Sequence, residues 1–283
     1  MQSALVSSEW LAAHLSDPKL VILDASMDKV IGREPIVYDE PCFIAGARRL
    51  DLERECTDLQ SSELHALPSQ AQFTKLVQRL GIDQDSTVVI YDNQGIYSSP
   101  RGWWCFKVMG FEQVFVLDGG LPKWLKEQRP CADKPATRFP RGNACGQYQA
   151  EKVCNAPQVL DTLAGKQAMI LDARASSRFL GQSPEPREGV RSGHIPGAVN
   201  LPFAEVLEGD SLKPQPTLEQ IFLHLGAMDA RRSGKPLIFS CGSGITACIL
   251  ILAAYQVRLD ALILYDGSWA DWGSKAHLPL ATS

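Results

Sequence analysis

The sequence predicts an α/β protein built twice over, as two tandem domains that are each a parallel sheet flanked by helices on both faces. Three observations carry that expectation. Val21-Ile22-Leu23-Asp24-Ala25 returns 148 residues later as Met169-Ile170-Leu171-Asp172-Ala173. At the same spacing Leu117-Asp118-Gly119-Gly120 with Trp124 returns as Tyr265-Asp266-Gly267-Ser268 with Trp272, and Ser69-x-x-Gln72 returns as Thr217-x-x-Gln220. In both halves short apolar runs alternate with helical stretches, the pattern of right-handed crossovers between parallel strands.

The elements follow in order. In the first half, strands are expected at 20–24, 87–91 and 114–117, with helices near 70–80, 97–109 and 121–127. In the second, strands are expected at 168–172, 236–240 and 262–265, with helices near 157–164, 217–225 and 245–256. Ser69 and Thr217, each three residues before a glutamine, read as capping boxes at helix starts. Ile44-Ala45-Gly46-Ala47 matches Ile195-Pro196-Gly197-Ala198 with a small insertion. Turn formers crowd the stretch between the halves, so the domains read as 1–130 and 156–283, joined by a linker at 131–155.

Composition narrows the function. A chain of 283 residues with 45% hydrophobic content can build a substantial core, and its net charge of −4 comes with no basic block. Nucleic acid and anionic membranes are therefore disfavoured as partners. No apolar run is long enough to span a bilayer, and residues 1–10 lack a basic and then apolar leader pattern. The eight cysteines are scattered, with no C-x-x-C and no Cys/His cluster, so no metal and no disulfide framework is expected. A reducing, cytoplasmic setting is the expectation. Seven of the cysteines read as small core residues, and Trp103, Trp104, Trp124, Trp269 and Trp272 as packing residues at helical positions.

Cys241 is different. It follows the apolar run Leu237-Ile238-Phe239-Ser240, opens the loop Gly242-Ser243-Gly244-Ile245-Thr246, and precedes a long apolar helix. A cysteine at such a turn faces the positive end of a helix and unpaired N–H groups, which stabilise a thiolate. Glycines leave those N–H groups uncovered, so the loop can form an anion-binding nest. At the matching place in the first half stands Asp92, which cannot carry sulfur. The second half is thus the catalytic one.

These residues resemble the tandem-domain sulfurtransferases of the rhodanese superfamily, in the Asp-Ala strand ends, in Gly193-His194-Ile195-Pro196-Gly197-Ala198 and in the Asp-Gly segments followed by tryptophan. Within it, Cys241-Gly242-Ser243-Gly244-Ile245-Thr246-Ala247 resembles the active loop of 3-mercaptopyruvate sulfurtransferases, with isoleucine at 245 where valine is usual. The resemblance implies sulfur transfer from 3-mercaptopyruvate through a Cys241 persulfide to a thioredoxin-like protein, a small thiol or cyanide, releasing pyruvate without a cofactor. Thiosulfate-preferring relatives carry basic residues where this chain has Gly242 and Ser243; a thiosulfate:cyanide sulfurtransferase is the alternative. The resemblance further implies that Arg178 and Arg187 bind the donor's carboxylate and keto oxygen, and that Asp58, His65 and Ser243 form a relay. Without it, Arg174, Arg178, Arg187 and Arg191 read as solvated cations paired with Glu185 or Glu188. His194 reads as a framework residue. A cysteine phosphatase would need arginine where Ala247 stands, and a docking module without activity would not need Cys241 at all.

Overall fold

The computed structural model describes residues 3–282, so the reading of the first ten residues falls partly outside the described residues. Packing divides the chain into two units. The first gathers the residues through Asp58, Leu67–Gln149 and Leu207–Leu212; the second gathers Leu59–Ala66, Ala150–Val206 and the residues from Lys213 onward.

In the first unit five parallel strands lie in the order Leu5–Val6, Val114–Leu117, Thr87–Tyr91, Leu20–Asp24 and Arg48–Arg49. In the second the order is Val153–Cys154, Leu262–Tyr265, Leu237–Ser240, Met169–Asp172 and Val199–Asn200, again all parallel. The two sheets have the same topology, strand for strand, which is the duplication read from the sequence. Asp24 registers with Tyr91 in the first sheet as Asp172 does with Ser240 in the second.

Central strands buried on both faces need apolar side chains at successive positions, and these have them. In the first unit Ile22, Val89, Tyr91 and Leu117 pack with Leu11, Leu121 and Trp124 of the helices Ser8–Ala13 and Gly120–Lys126. The intervening Ile90 faces the other way, onto the helix Ser99–Val108 at Gly102. In the second unit Ile170, Ile238 and Tyr265 pack with Val159, Trp269 and Trp272, while the apolar helix Ala247–Gln256 is buried along almost its whole length. The five tryptophans read as packing residues are all buried.

Several expectations are corrected. Ser69 caps its helix in a full capping box with Gln72, but Thr217 caps nothing. The helix Gln215–His224 starts two residues before Thr217, because Pro216 in its first turn has a preset φ and no N–H to satisfy. The capping box that the second half does contain is Asn155 with Gln158, opening the helix Ala156–Gly165. Of the cysteines read as core, Cys42 is half-buried and Cys131 and Cys145 are exposed, since they lie in and beside the short edge ladder and the connecting stretch rather than under a sheet. That stretch is bonded along the first unit: Cys131–Ala132 pairs with Phe43–Ile44, and Ala144 and Gln149 donate backbone hydrogen bonds to Ile82 and Val108.

Gly120 begins its helix at φ +51°, with its α-carbon pressed against the turn after Thr87–Tyr91. A methyl group there would lie 2.3 Å from the Gly95 carbonyl oxygen and 2.6 Å from that of Asp92. Gly120→Ala is expected to cost roughly 2–4 kcal/mol through combined strain and overlap, read as a lower denaturant midpoint at unchanged slope.

Candidate active site

The strand Leu237–Ser240 delivers Cys241 to the end of the second sheet, and the next elements hold its backbone from one side. Trp269 N–H donates to the Cys241 carbonyl at 3.0 Å, and Ala270 N–H to that of Gly242 at 2.9 Å. Cys241 N–H donates to Ser268 Oγ at 3.2 Å, while that hydroxyl donates to the Tyr265 carbonyl at 2.9 Å. Ser268 sits at φ +52°, the conformation that Gly120 adopts in the first half. Its hydroxyl bond to Cys241 offsets the strain that a side chain suffers there. Nothing in the sequence marked Ser268 beyond its place in the repeat.

The loop is less open than its glycines suggested. Cys241 is only 1% exposed and Ser243 8%. Gly244, at φ +79°, turns the chain in a region that disfavours side chains, and its carbonyl accepts from the Cys248 thiol at 3.3 Å. Cys248 is fully buried on the helix Ala247–Gln256, as expected. Over Gly242 lie two guanidinium groups. A β-carbon at 242 would sit 3.3 Å from Arg178 Nη2 and 3.9 Å from Arg187 Nη1, so glycine there leaves room for the arginines to approach.

A buried ion network aims Arg178. Asp172, at the end of its strand, accepts three hydrogen bonds from the Arg174 side chain between 2.6 and 3.1 Å. Arg174 also donates to Glu185 at 2.8 Å and to the Gly193 carbonyl at 2.9 Å, and its guanidinium lies 4.4 Å over the Trp269 ring. Glu185 in turn takes Nε and Nη2 of Arg178. The pairing with Glu185 that the simpler reading named is present for Arg174 and Arg178, but Arg174 is buried rather than solvated. Arg191 is tied to the carbonyls of Gly273, Lys275 and Leu278. Burial, and then the Arg178 charge beside it, hold the Arg187 guanidinium below its ordinary range, opposed by Cys241 and Glu185. Three guanidinium groups against two carboxylates leave this corner with one positive charge beside Cys241.

The remaining candidates are placed less simply. His65, at φ +56°, packs with the second unit, where its Nδ1 lies 3.3 Å from the Ser243 backbone oxygen. Asp58 packs with the first unit, where its Oδ1 accepts from Gln72 Nε2 at 3.2 Å. His194 bonds the Phe179 carbonyl at 2.8 Å and stacks on the Phe179 ring, a framework role. Among the described residues no group of three or more His, Cys, Asp or Glu side chains is placed to hold a metal ion, and no helix is long and apolar enough to cross a membrane.

The first unit holds the same turn with another occupant. Asp92 is wholly buried, and its carboxylate accepts from the backbone N–H groups of Gln94, Tyr97, Ser98 and Ser99 at 2.8–2.9 Å and from the Ser99 hydroxyl at 2.7 Å. Burial pushes the Asp92 carboxyl up, against the pull of those hydrogen bonds. The hairpin Leu207–Glu208/Ser211–Leu212 covers this turn so closely that a β-carbon at Gly95 would lie 2.6 Å from the Asp210 carbonyl oxygen.

Comparison with known proteins agrees with this architecture. A family model described as "Rhodanese-like domain" matches twice, over residues 7–127 and 155–275. The chain is 38% identical over 282 residues to a rat protein named 3-mercaptopyruvate sulfurtransferase, covering 97% of this chain and 93% of the relative. It is 37% identical over 280 residues to a mouse thiosulfate sulfurtransferase, covering 96% and 93%. Among solved structures, that of SseA from Escherichia coli, described as a 3-mercaptopyruvate sulfotransferase with the rhodanese fold, matches with a TM-score of 0.81 at 33% identity, covering 95% of this chain and 99% of that one.

Glu185→Gln removes the charge shared by Arg174 and Arg178. It is expected to cost about 3 kcal/mol of stability, because buried Arg174 and part-buried Arg178 lose a common partner. A carboxamide also presents donors to donors. Urea unfolding checks this, with the Arg178→Gln variant expected to recover part of the loss.

Proposed function

The chain belongs to the rhodanese-like domain family, with two such domains in tandem, and on that premise we propose that it is a 3-mercaptopyruvate sulfurtransferase. The observation that carries the donor assignment is the convergence of Arg178 and Arg187 over Gly242, beside Cys241. Gly242 and Ser243 carry no charge, so an anionic donor is held by the neighbouring loop rather than by the active loop itself. Guanidinium forks match a planar α-keto carboxylate in charge and shape.

The Cys241 thiolate attacks the thiol sulfur of 3-mercaptopyruvate. The carbon–sulfur bond breaks, its electron pair forms the enolate of pyruvate, and a proton from solvent or from Ser243 completes pyruvate. The sulfur stays on Cys241 as a persulfide. Arg178 and Arg187 hold the carboxylate and balance charge growing on the enolate oxygen. N–H groups of the loop Gly242 to Thr246 and of Ala247 face the sulfur, by analogy with those of Gln94, Tyr97 and Ser98 on Asp92, whose counterparts lie 149 residues further on; the counterpart of Ser99, Cys248, donates instead to the Ile245 carbonyl. Asp58, His65 and Ser243 act as a proton relay to the carbonyl; what supports that role is the nearness of His65 to Ser243, whose backbone oxygen lies 3.3 Å from His65 Nδ1. A thiolate acceptor, from a small thiol or a thioredoxin-like protein, or cyanide, then takes the outer sulfur and frees Cys241. Residues 156–283 carry the chemistry, residues 1–130 do not, 131–155 connect them, and the enzyme works in the cytoplasm.

A second reading, thiosulfate as donor, is favoured by the likeness to the mouse thiosulfate sulfurtransferase. Steady-state kinetics with both donors separates the two. With 3-mercaptopyruvate preferred, Arg178→Lys and Arg187→Lys each lower kcat/KM for it by about 2 kcal/mol, on the order of 30-fold, from loss of bidentate pairing. A parent enzyme that prefers thiosulfate, with 3-mercaptopyruvate turnover indifferent to both arginines, overturns the assignment.

A further inference from the structure

Two thiols that the sulfur-transfer chemistry does not use lie together at the rim of the first unit. The short antiparallel ladder there pairs Phe43 with Ala132 and Ile44 with Cys131. Opposite residues of such a ladder share a face, and residues two apart along one strand return to it. Cys42 and Cys131 therefore lie on one face, on a diagonal of the ladder. Their thiols are close enough to influence one another, while the Cys131 thiol donates to the Arg129 carbonyl at 3.5 Å. Cys131 is exposed and Cys42 half-buried, so small molecules reach the pair. The other neighbouring thiols, Cys56 and Cys105, are closed off at 1% and 0% exposure. Exposed Cys145 has Gln78 and Asn143 as its neighbours rather than a thiol.

We propose that Cys42 and Cys131 form a reversible dithiol–disulfide pair, oxidised by low-molecular-weight disulfides. The thiolate of Cys42 attacks one sulfur of the small disulfide, forming a mixed disulfide and releasing one small thiol, which takes up the proton that Cys42 gave to solvent. Cys131 then loses its proton to solvent and attacks the Cys42 sulfur, forming the internal disulfide and releasing the second small thiol. Two protein thiols are oxidised, one small disulfide is reduced, and no further oxidant is needed.

Desolvation, and then the neighbouring Cys42 thiol, push the Cys131 thiol up to about 11, so closure by Cys131 is the slower of the two steps. Diagonal neighbours in an antiparallel ladder have α-carbons roughly 7–8 Å apart, beyond the span of about 4.4–6.8 Å of ordinary disulfides. Closing the bond therefore draws the ladder ends together. With only two registered pairs, this ladder resists little. An exposed disulfide closed under strain is readily reduced again, which suits a switch rather than a structural staple.

The test is to incubate the full-length protein with oxidised glutathione, raising it until Cys145 carries a glutathione adduct, then block free thiols, digest without reduction and map the peptides by mass spectrometry. The expected result is loss of both blockable thiols at Cys42 and Cys131, with their peptides linked and released by dithiothreitol. In Cys131→Ser, glutathione is expected to accumulate on Cys42; in Cys42→Ser, Cys131 reacts no faster than Cys145. Separate glutathione adducts on Cys42 and Cys131 of the parent protein, or both residues unmodified while Cys145 reacts, overturn the proposal.

Discussion

A parallel strand that ends in a tight turn before a helix leaves backbone N–H groups aimed into the turn, and these must be answered by an acceptor. Both halves of this chain are organised around that requirement. In the first, Asp92 answers it permanently, folding its own carboxylate into four backbone N–H groups and one hydroxyl. A group so fully bonded has nothing left for chemistry, and the hairpin packed over Gly95 covers it. In the second, the position is held by Cys241, a thiol in place of the carboxylate. The backbone there is secured separately, by Ser268, Trp269 and Ala270, through bonds that do not involve the thiol.

The electrostatics follow from the neutrality of the loop. Gly242 and Ser243 bring no charge, and the guanidinium groups over Gly242 come from a neighbouring loop whose arginines must be held in place. A fixed guanidinium needs an anchor, and Glu185 supplies one for Arg178. Glu185 is itself fixed by Arg174, which is locked between Asp172 and the Trp269 ring. The chain of contacts runs from the end of a central strand to the group beside Cys241. Arg187 has no such anchor in its network and meets a like charge in Arg178.

Much of this was legible in the sequence because the chain contains its own control. Repetition of Val21–Ala25 at Met169–Ala173 marked equivalent strand ends, and the exchange of Asp92 for Cys241 set the second turn apart from the first. The six central strands were readable because burial on both faces demands unbroken apolar runs. The two-residue edge strands, such as Arg48–Arg49 and Val199–Asn200, were not, since so short a run has no periodicity. Thr217 misled because a capping motif is only as good as the helix start it assumes, and Pro216 moved that start. Ser268 was hidden because its task depends on a backbone conformation that its counterpart, Gly120, adopts without a side chain. Segments 59–66 and 207–212 pack with the unit of the other half, a long-range matter that no local pattern encodes.

The account rests on Cys241 as the residue that carries sulfur, and intact mass tests this directly. Protein exposed briefly to 3-mercaptopyruvate and desalted should gain the mass of one sulfur atom, removable by dithiothreitol and absent from Cys241→Ser. The same gain in Cys241→Ser, or no gain in the parent protein, would contradict it.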